Sequence, residues 1–246
     1  MLEEMGLGPV WRLRARRATA APAPEAAPSL ERAAAAPSPE VPAPPPVATL
    51  APDDRAARIA RMDWPELEQA VAGCTACGLC KTRRNTVFGV GDANADWLLV
   101  GEAPGAEEDA RGEPFVGQAG RLLDNMLAAI DLARGKGVYI ANVLKCRPPG
   151  NRNPEPGEVA QCSPHLHRQI ALIRPKLVVA MGRFAAQTLL DTEASIASLR
   201  GRTFEYRGVP LVVTYHPAYL LRNLPDKAKA WEDLLFARGV LRGLSS

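Results

Sequence analysis

Four cysteines are placed where thiolates can gather on a metal centre. Cys74 and Cys77 form a CxxC pair, and Cys146 and Cys162 follow much later and further apart. A CxxC turn lets both sulfurs face one centre, and the fold must bring in the other two. Four thiolates are the usual complement of a [4Fe–4S] cluster or a structural zinc. The wide second pair leans toward the cluster, and spacing alone does not separate the two. The plain alternative is a set of inert cysteines acting as small hydrophobes. A fifth, Cys80, reads as a spare thiol beside the others.

A second group of residues suits a flat, polar ligand. Gly101-Glu102-Ala103-Pro104-Gly105 holds a carboxylate among residues that let a ligand approach the backbone. Glu107, Glu108 and Asp109 follow and read as an acidic loop. That is the wrong sign for gripping phosphate and the right sign for activating water or steadying a cation. Phe115, between Pro114 and Val116-Gly117, offers a ring face to a base. Asn142 both donates and accepts, so it matches a pyrimidine edge. His216 is held off helical geometry by Pro217. It is able to donate to an oxygen that gains negative charge.

After His216-Pro217 come Ala218, Tyr219, Leu220, Leu221 and Arg222. These put apolar side chains and a cation on one loop, the chemistry of a wedge that unstacks base pairs. Lys81, Arg83, Arg84, Lys145, Arg147 and Arg152 cluster around the cysteines and suit phosphate contacts. Each feature alone has a bland reading: an acidic turn, a core Phe, a turn-forming Asn, a strand-end His, a solvated basic surface. Their convergence carries the argument.

The elements supply that convergence. Patterning predicts a short helix over 64–71 and a longer one over 118–133, strands over 96–101 and 138–143, and a helix over 157–173. A strand over 176–181 and a helix over 183–190 come next, then a hairpin pair or last strands at 204–206 and 211–215, and a helix over 226–241. Alternating strands and helices imply an α/β fold, a three-layer α/β/α arrangement around a mostly parallel central sheet. Ligands of such sheets bind beyond the carboxyl ends of the strands. The Gly101 loop, Asn142 and His216 all sit there.

Size and charge bound the rest. The chain has 246 residues and a formal net charge of only +3, so nucleic-acid binding has to come from local clusters. No apolar run is long enough to span a membrane. The first residues do not read as an export signal, so an intracellular, cytoplasmic protein is expected. Five cysteines, an odd number, argue against a disulfide framework. Residues 1–17 mix apolar and basic side chains and read as a docking motif for a protein partner. Residues 18–52 are rich in Ala and Pro and read as a disordered linker. The folded domain is expected over 53–246.

Together these segments resemble the family 4 uracil-DNA glycosylases, the iron–sulfur branch of the uracil glycosylase superfamily. The resemblance runs from about Leu67 to Arg242. It rests on CTACGLC at 74–80, VGEAPGAEED at 100–109, GEPFVGQAG at 112–120, NVLKCRPPGNRNP at 142–154 and HPAYLLR at 216–222. It implies an α/β/α fold and a [4Fe–4S] cluster on Cys74, Cys77, Cys146 and Cys162. It implies a uracil pocket from Gly101, Glu102, Ala103, Phe115, Asn142 and His216. Phe115 would stack on the base, Asn142 read its edge, and His216 stabilise the departing uracil anion. Glu102 would support the cationic sugar or position water, with Glu108 and Asp109 as rivals for the water.

The implied substrate is uracil-containing DNA, acted on by a monomer near the nucleoid, leaving an abasic site that starts base excision repair. Two features depart from the family: Cys80, and the extension over 1–52. The loop after Cys146 lacks the histidine by which another cluster-bearing relative captures DNA covalently, which favours a hydrolase that turns over. Two other classes compete: a cluster-bearing DNA-binding or redox-sensing module without catalysis, and a nucleotide-handling α/β protein with structural zinc.

Overall fold

Buried strands whose side chains divide by parity build this molecule. Strands β2 (Trp97–Gly101), β3 (Val138–Asn142) and β4 (Leu177–Met181) are buried along their whole length. Successive side chains point to opposite faces. Leu98 and Val100 therefore join one apolar cluster, with Leu166 and Ile170 of α5 (Pro156–Ile173) and Ala185 and Leu189 of α6 (Arg183–Leu190). Trp97 and Leu99 join the other, with Leu123 and Leu127 of α4 (Gln118–Ala128) and Leu234 and Ala237 of α9 (Asp226–Leu244). One sheet with a helical layer on each face is the expected α/β/α arrangement. It is seen in a computed structural model that describes residues 52–244.

The docking motif expected at 1–17 lies outside the described residues, and so does the linker expected at 18–52 as far as residue 51. Pro52 opens the first helix, α1 (Pro52–Ile59). Helix α2 (Trp64–Ala72) follows, capped by Asp63, whose Oδ1 accepts from the Glu66 N–H at 2.9 Å while Glu66 accepts from the Asp63 N–H at 3.0 Å. Both helices pack on α5.

The six-stranded sheet runs β1-β3-β2-β4-β6-β5, with β1 (Val90–Gly91), β5 (Thr203–Tyr206) and β6 (Val209–Thr214) completing it; the one-turn helix α7 (Ile196–Leu199) leads into β5. The four inner strands are parallel, and the two edges are antiparallel. The two alternatives for the last strands are both realised, since β5 and β6 form a hairpin and β6 also joins the parallel sheet. From β2 the chain passes to β3 on one side and later to β4 on the other. This reversal opens a crevice beyond the carboxyl ends, the expected place for a ligand. Gly101 there lies opposite Asn142.

Two expectations fail locally. The helix expected over 118–133 ends at Ala128. Asp131 takes a left-handed φ of 65°, and the N–H groups of Ile130 and Leu132 both return to the Leu127 carbonyl. Ile130 stays buried without being helical. The expected acidic loop is instead helix α3 (Ala106–Arg111), with Glu107, Glu108 and Asp109 in its first turn. Carboxylates suit the positive end of a helix, which competes with the loop reading. Among the described residues no helix is long and apolar enough to cross a membrane.

Candidate active site and cysteine centre

A cavity of about 750 Å³ opens at the carboxyl ends of the inner strands, lined by Glu102, Ala103, Phe115, Asn142 and His216. Five of the six pocket residues named from sequence therefore meet in one place. The sixth, Gly101, forms the floor behind them. A Cβ at Gly101 would collide with the Asn142 amide and the Phe115 ring, so only glycine lets these two side chains converge.

Phe115 is 6% exposed and has a φ of 54°, in the left-handed region. Such a backbone is strained for an aromatic residue and persists only when its surroundings hold it. Here Arg134 donates from Nη1 to the Pro114 carbonyl at 2.9 Å and from Nη2 to the Phe115 carbonyl at 2.8 Å. Gly120 of α4 lies against that same carbonyl, where any Cβ would clash. The ring is thereby presented to His216, with centroids 5.3 Å apart and planes 29° apart.

His216 caps α8 (Pro217–Leu220) by accepting the Ala218 N–H on Nδ1 at 3.1 Å. Burial lowers its pKa to about 4; the Glu108 carboxylate works against that shift, and Arg222 adds to it. The ring is neutral at pH 7. With Nδ1 acting as an acceptor, the proton sits on Nε2, which is left as a donor. Gly182 lets the end of β4 approach the imidazole, since a Cβ there would meet the His216 side chain at 2.8 Å.

Asn142 is buried, and among the described residues its Oδ1 has no hydrogen-bond partner. A buried, unsatisfied acceptor on a cavity wall is costly unless something fills the place. Its backbone is held from below, where buried Lys145 donates from Nζ to the Asn142 carbonyl at 3.0 Å and to Gln169 Oε1 at 2.6 Å. Burial lowers the Lys145 pKa to about 8.

The carboxylates divide by role. Glu102 lines the cavity and its side chain makes no hydrogen bond among the described residues; burial raises its pKa and Arg183 opposes the shift. Glu108 also lines the cavity, but both its oxygens are engaged. It accepts the Gly105 N–H on Oε2 and the Val116 N–H on Oε1, each at 3.1 Å. Glu108 thus ties the Glu102 loop to the Phe115 loop. Asp109, the other rival for water, is turned away and buried, and accepts the Arg84 N–H at 2.8 Å.

The expected wedge is smaller than its sequence suggested. Pro217 and Leu220 are buried, so they are core rather than DNA-facing. A one-turn helix has an inner face, and these two residues occupy it. Tyr219 stacks on Tyr215 at 5.2 Å and its hydroxyl donates to Asp226 at 2.7 Å. Leu221 and Arg222 are exposed, and Arg222 lines the cavity. The basic cluster is likewise reduced. Lys145 is buried, Arg83 turns to cysteine, and Arg152 pairs with Glu158 at 2.6 Å. Lys81 and Arg84 stay exposed. Gly182 and Arg183 also line the cavity; their signal in the sequence is that they follow a strand, as the other site segments do.

At the far end of the segment Asn142–Cys146 lie the cysteines. The Lys145 N–H donates to Cys162 Sγ at 3.2 Å, and Arg83 Nη1 to Cys146 Sγ at 3.1 Å. Arg55 Nη2 lies 3.5 Å from Cys74 Sγ, and the Leu79 N–H favours the Cys77 thiolate. Cys146 feels the charge of Cys74 and Cys77, and Cys162 that of Cys74 and Cys146. Burial pushes the Cys162 thiol up to about 12 despite Lys145. Among the described residues no three His, Cys, Asp or Glu are drawn together as ligands of a single metal ion.

These features define an α/β/α protein with a polar-lined cavity at the switch point of its sheet. Residues 88–235 match the uracil DNA glycosylase superfamily, and the chain belongs to that family. It is 48% identical over 186 residues to the type-4 uracil-DNA glycosylase of Archaeoglobus fulgidus, covering 72% of this chain and 92% of that protein. It is 39% identical over 193 residues to the type-4 enzyme of Pyrobaculum aerophilum, covering 74% and 98%. It is 41% identical over 180 residues to that of Thermotoga maritima, covering 72% and 93%.

Proposed function

We propose that this chain is a uracil-DNA glycosylase, which hydrolyses the N-glycosidic bond of uracil in DNA and leaves an abasic site. The observation that carries this reading is the Asn142 amide, whose Oδ1 is unsatisfied among the described residues, in the wall of a cavity it shares with Phe115 and His216. Uracil presents an N–H at N3 and a carbonyl at O4. The Asn142 amide has one acceptor and one donor group to meet that pair. Cytosine presents an amino group and a bare nitrogen at those atoms, so the same amide meets it donor to donor and acceptor to acceptor. A site left with unpaired groups rejects such an analogue strongly.

The base reaches the slot only by leaving the duplex, at a cost of a few kcal/mol that is least at a mismatch. Arg222, which lines the cavity, would meet the backbone, and the exposed Leu221 before it would fill the gap left in the stack. Phe115 then stacks on the uracil. As the glycosidic bond stretches, negative charge collects on the uracil O2 and positive charge on the sugar. His216 donates from Nε2 to that oxygen while staying neutral. Preorganised donors of this kind are worth about 10²–10³ in rate. Glu102 faces the sugar side, where its negative charge offsets the cation and orients the attacking water. Glu108 is a positioning residue that holds the two loops together.

The four cysteines suit a [4Fe–4S] cluster. Each sulfur has an N–H donor, which is the environment of cluster thiolates. When bound, the group supplies a cross-link among the segments that carry Cys74, Cys77, Cys146 and Cys162, and base excision transfers no electrons. Residues 53–246 would hold the whole activity, with 1–17 a docking motif on the 18–52 linker. A DNA substrate places the protein with the nucleoid in the cytoplasm.

The test incubates purified protein with a labelled uracil-containing oligonucleotide and then alkali, which breaks abasic sites. Strand scission at uracil is expected. Intact strands at high enzyme overturn the activity. Iron and acid-labile sulfide analysis tests the cluster, and stoichiometric zinc in their place overturns it.

A further inference from the structure

Two arginines reach the cysteine sulfurs, and catalysis uses neither. Arg83 is half-buried. Its Nη1 donates to Cys146 Sγ at 3.1 Å and to the Cys74 carbonyl at 2.8 Å, and Nη2 donates to the Ala72 carbonyl at 3.3 Å. One guanidinium thus spans the CxxC segment and the segment after β3. Arg55 enters from α1. Its Nη1 donates to the Gln161 carbonyl at 2.8 Å, beside Cys162, and its Nη2 lies 3.5 Å from Cys74 Sγ and 3.4 Å from His165 Nε2. Both arginines precede the residues matched to the superfamily, 88–235. Among the described residues the other two sulfurs, of Cys162 and Cys77, take neutral backbone donors, from Lys145 and Leu79.

We propose that Arg55 and Arg83 are charged donors to the thiolates of the bound cluster, raising its reduction potential and slowing its loss of iron. The inference rests on the cluster reading above. Reduction adds one electron, and so one negative charge, to the cluster and its thiolates. A cation with an N–H aimed at a ligand sulfur stabilises that reduced form more than the oxidised one. Each guanidinium also bonds to the backbone of a cysteine-bearing segment, so it resists the movement that releases a ligand. Arg55 thereby fastens α1 to the cysteine centre.

The test is a spectroelectrochemical titration of the full-length holoprotein, with chelator-driven iron release measured alongside. The variants are Arg55→Met and Arg83→Met, with Arg58→Met on the exposed side of α1 as control. At a fixed applied potential, each of the first two should shift the ratio of oxidised to reduced cluster at least tenfold toward oxidised. That equals a potential lower by about 59 mV for a one-electron couple. Iron release should be faster in both, and Arg58→Met should match the wild type. Arg55→Lys and Arg83→Lys keep the charge and should recover part of the shift. They also decide the matter if a Met variant does not fold. Coloured variants with wild-type potential and wild-type iron release overturn this inference alone. A wild-type protein without iron and sulfide overturns it together with the cluster reading.

Discussion

The pocket and the cysteine centre lie at the two ends of one short segment, Asn142 to Cys146, and they treat hydrogen bonds in opposite ways. In the pocket, capacity is left open. Among the described residues Asn142 Oδ1 has no partner and the Glu102 side chain makes no hydrogen bond, and Nε2 of His216 is left as a donor. At the cysteines, capacity is used up inside the protein, with donors on each of four sulfurs. A site for a passing ligand has to stay unsatisfied, at a cost in stability, while a site for a permanent group is closed around it. Lys145 stands between them. Its N–H serves Cys162 and its ammonium serves Asn142.

Removing the open groups should produce the largest effect. His216→Ala and Asn142→Ala should each lower the single-turnover rate on uracil DNA by about 10²–10³, the scale of a lost transition-state donor. Colour, iron content and folding should stay as in the wild type. If either variant bleaches the protein, the two ends of the segment are not separable as described.

The next effect sharpens the contrast on the loop after His216. Leu220 is 1% exposed and Leu221 is 37% exposed. Leu220→Ala should cost about 2–5 kcal/mol of stability by opening a cavity, with the rate per folded molecule unchanged. Leu221→Ala should leave stability alone and weaken the processing of paired uracil relative to single-stranded uracil. Denaturation curves and the two substrates check this pair. Equal stabilities would mean that Leu220 is not core.

Smaller again is the link itself. Lys145→Met removes an ammonium that serves Gln169 and the Asn142 carbonyl. Leaving those buried acceptors unpaired should cost about 1–3 kcal/mol. Because the Asn142 backbone loses its support, the rate should fall as well. A variant with full activity and full stability would show that the segment holds its shape without the lysine.

Much of this was legible in the sequence, because strand-end loops announce themselves. The mostly parallel sheet follows from patterning, and the meeting of Glu102, Phe115, Asn142 and His216 in one cavity follows from the motifs at 100–109, 112–120, 142–154 and 216–222. What escaped was the direction of side chains. Nothing in HPAYLLR says that one helical turn buries Pro217 and Leu220 and exposes Leu221. Nothing near the cysteines says that Arg83 faces sulfur rather than phosphate, or that Lys145 is wholly enclosed. Glu107–Asp109 looked like a loop because six residues of α3 give too short a period to read. Buttresses such as Arg134 and Gly120 act on Phe115 from other segments and carry no local signal.

The smallest expected effect on rate is that of pH near neutrality, and its sign separates two forms of His216. Burial depresses all three histidines: His216 to about 4, His167 to about 4 and His165 to about 3. In the unfolded chain they titrate near 6.5. Below that value the unfolded state binds more protons, so the stability these groups contribute is complete above about pH 6.5 and is lost as pH falls toward 4. The thermal midpoint should therefore drop between pH 6.5 and 5. The rate should not follow it down through 6.5, because folded His216 stays neutral and keeps Nε2 as its donor while Nδ1 holds the Ala218 N–H. Glu102, whose pKa burial raises, should make the rate fall on the acid side, starting above the ordinary carboxylate range. Parallel single-turnover rates and melting curves from pH 8 to 5 decide the point. A rate that climbs as pH falls through 6.5 would mean that the imidazolium is the working donor, and the pocket would not be working through the neutral Nε2–H that it leaves open.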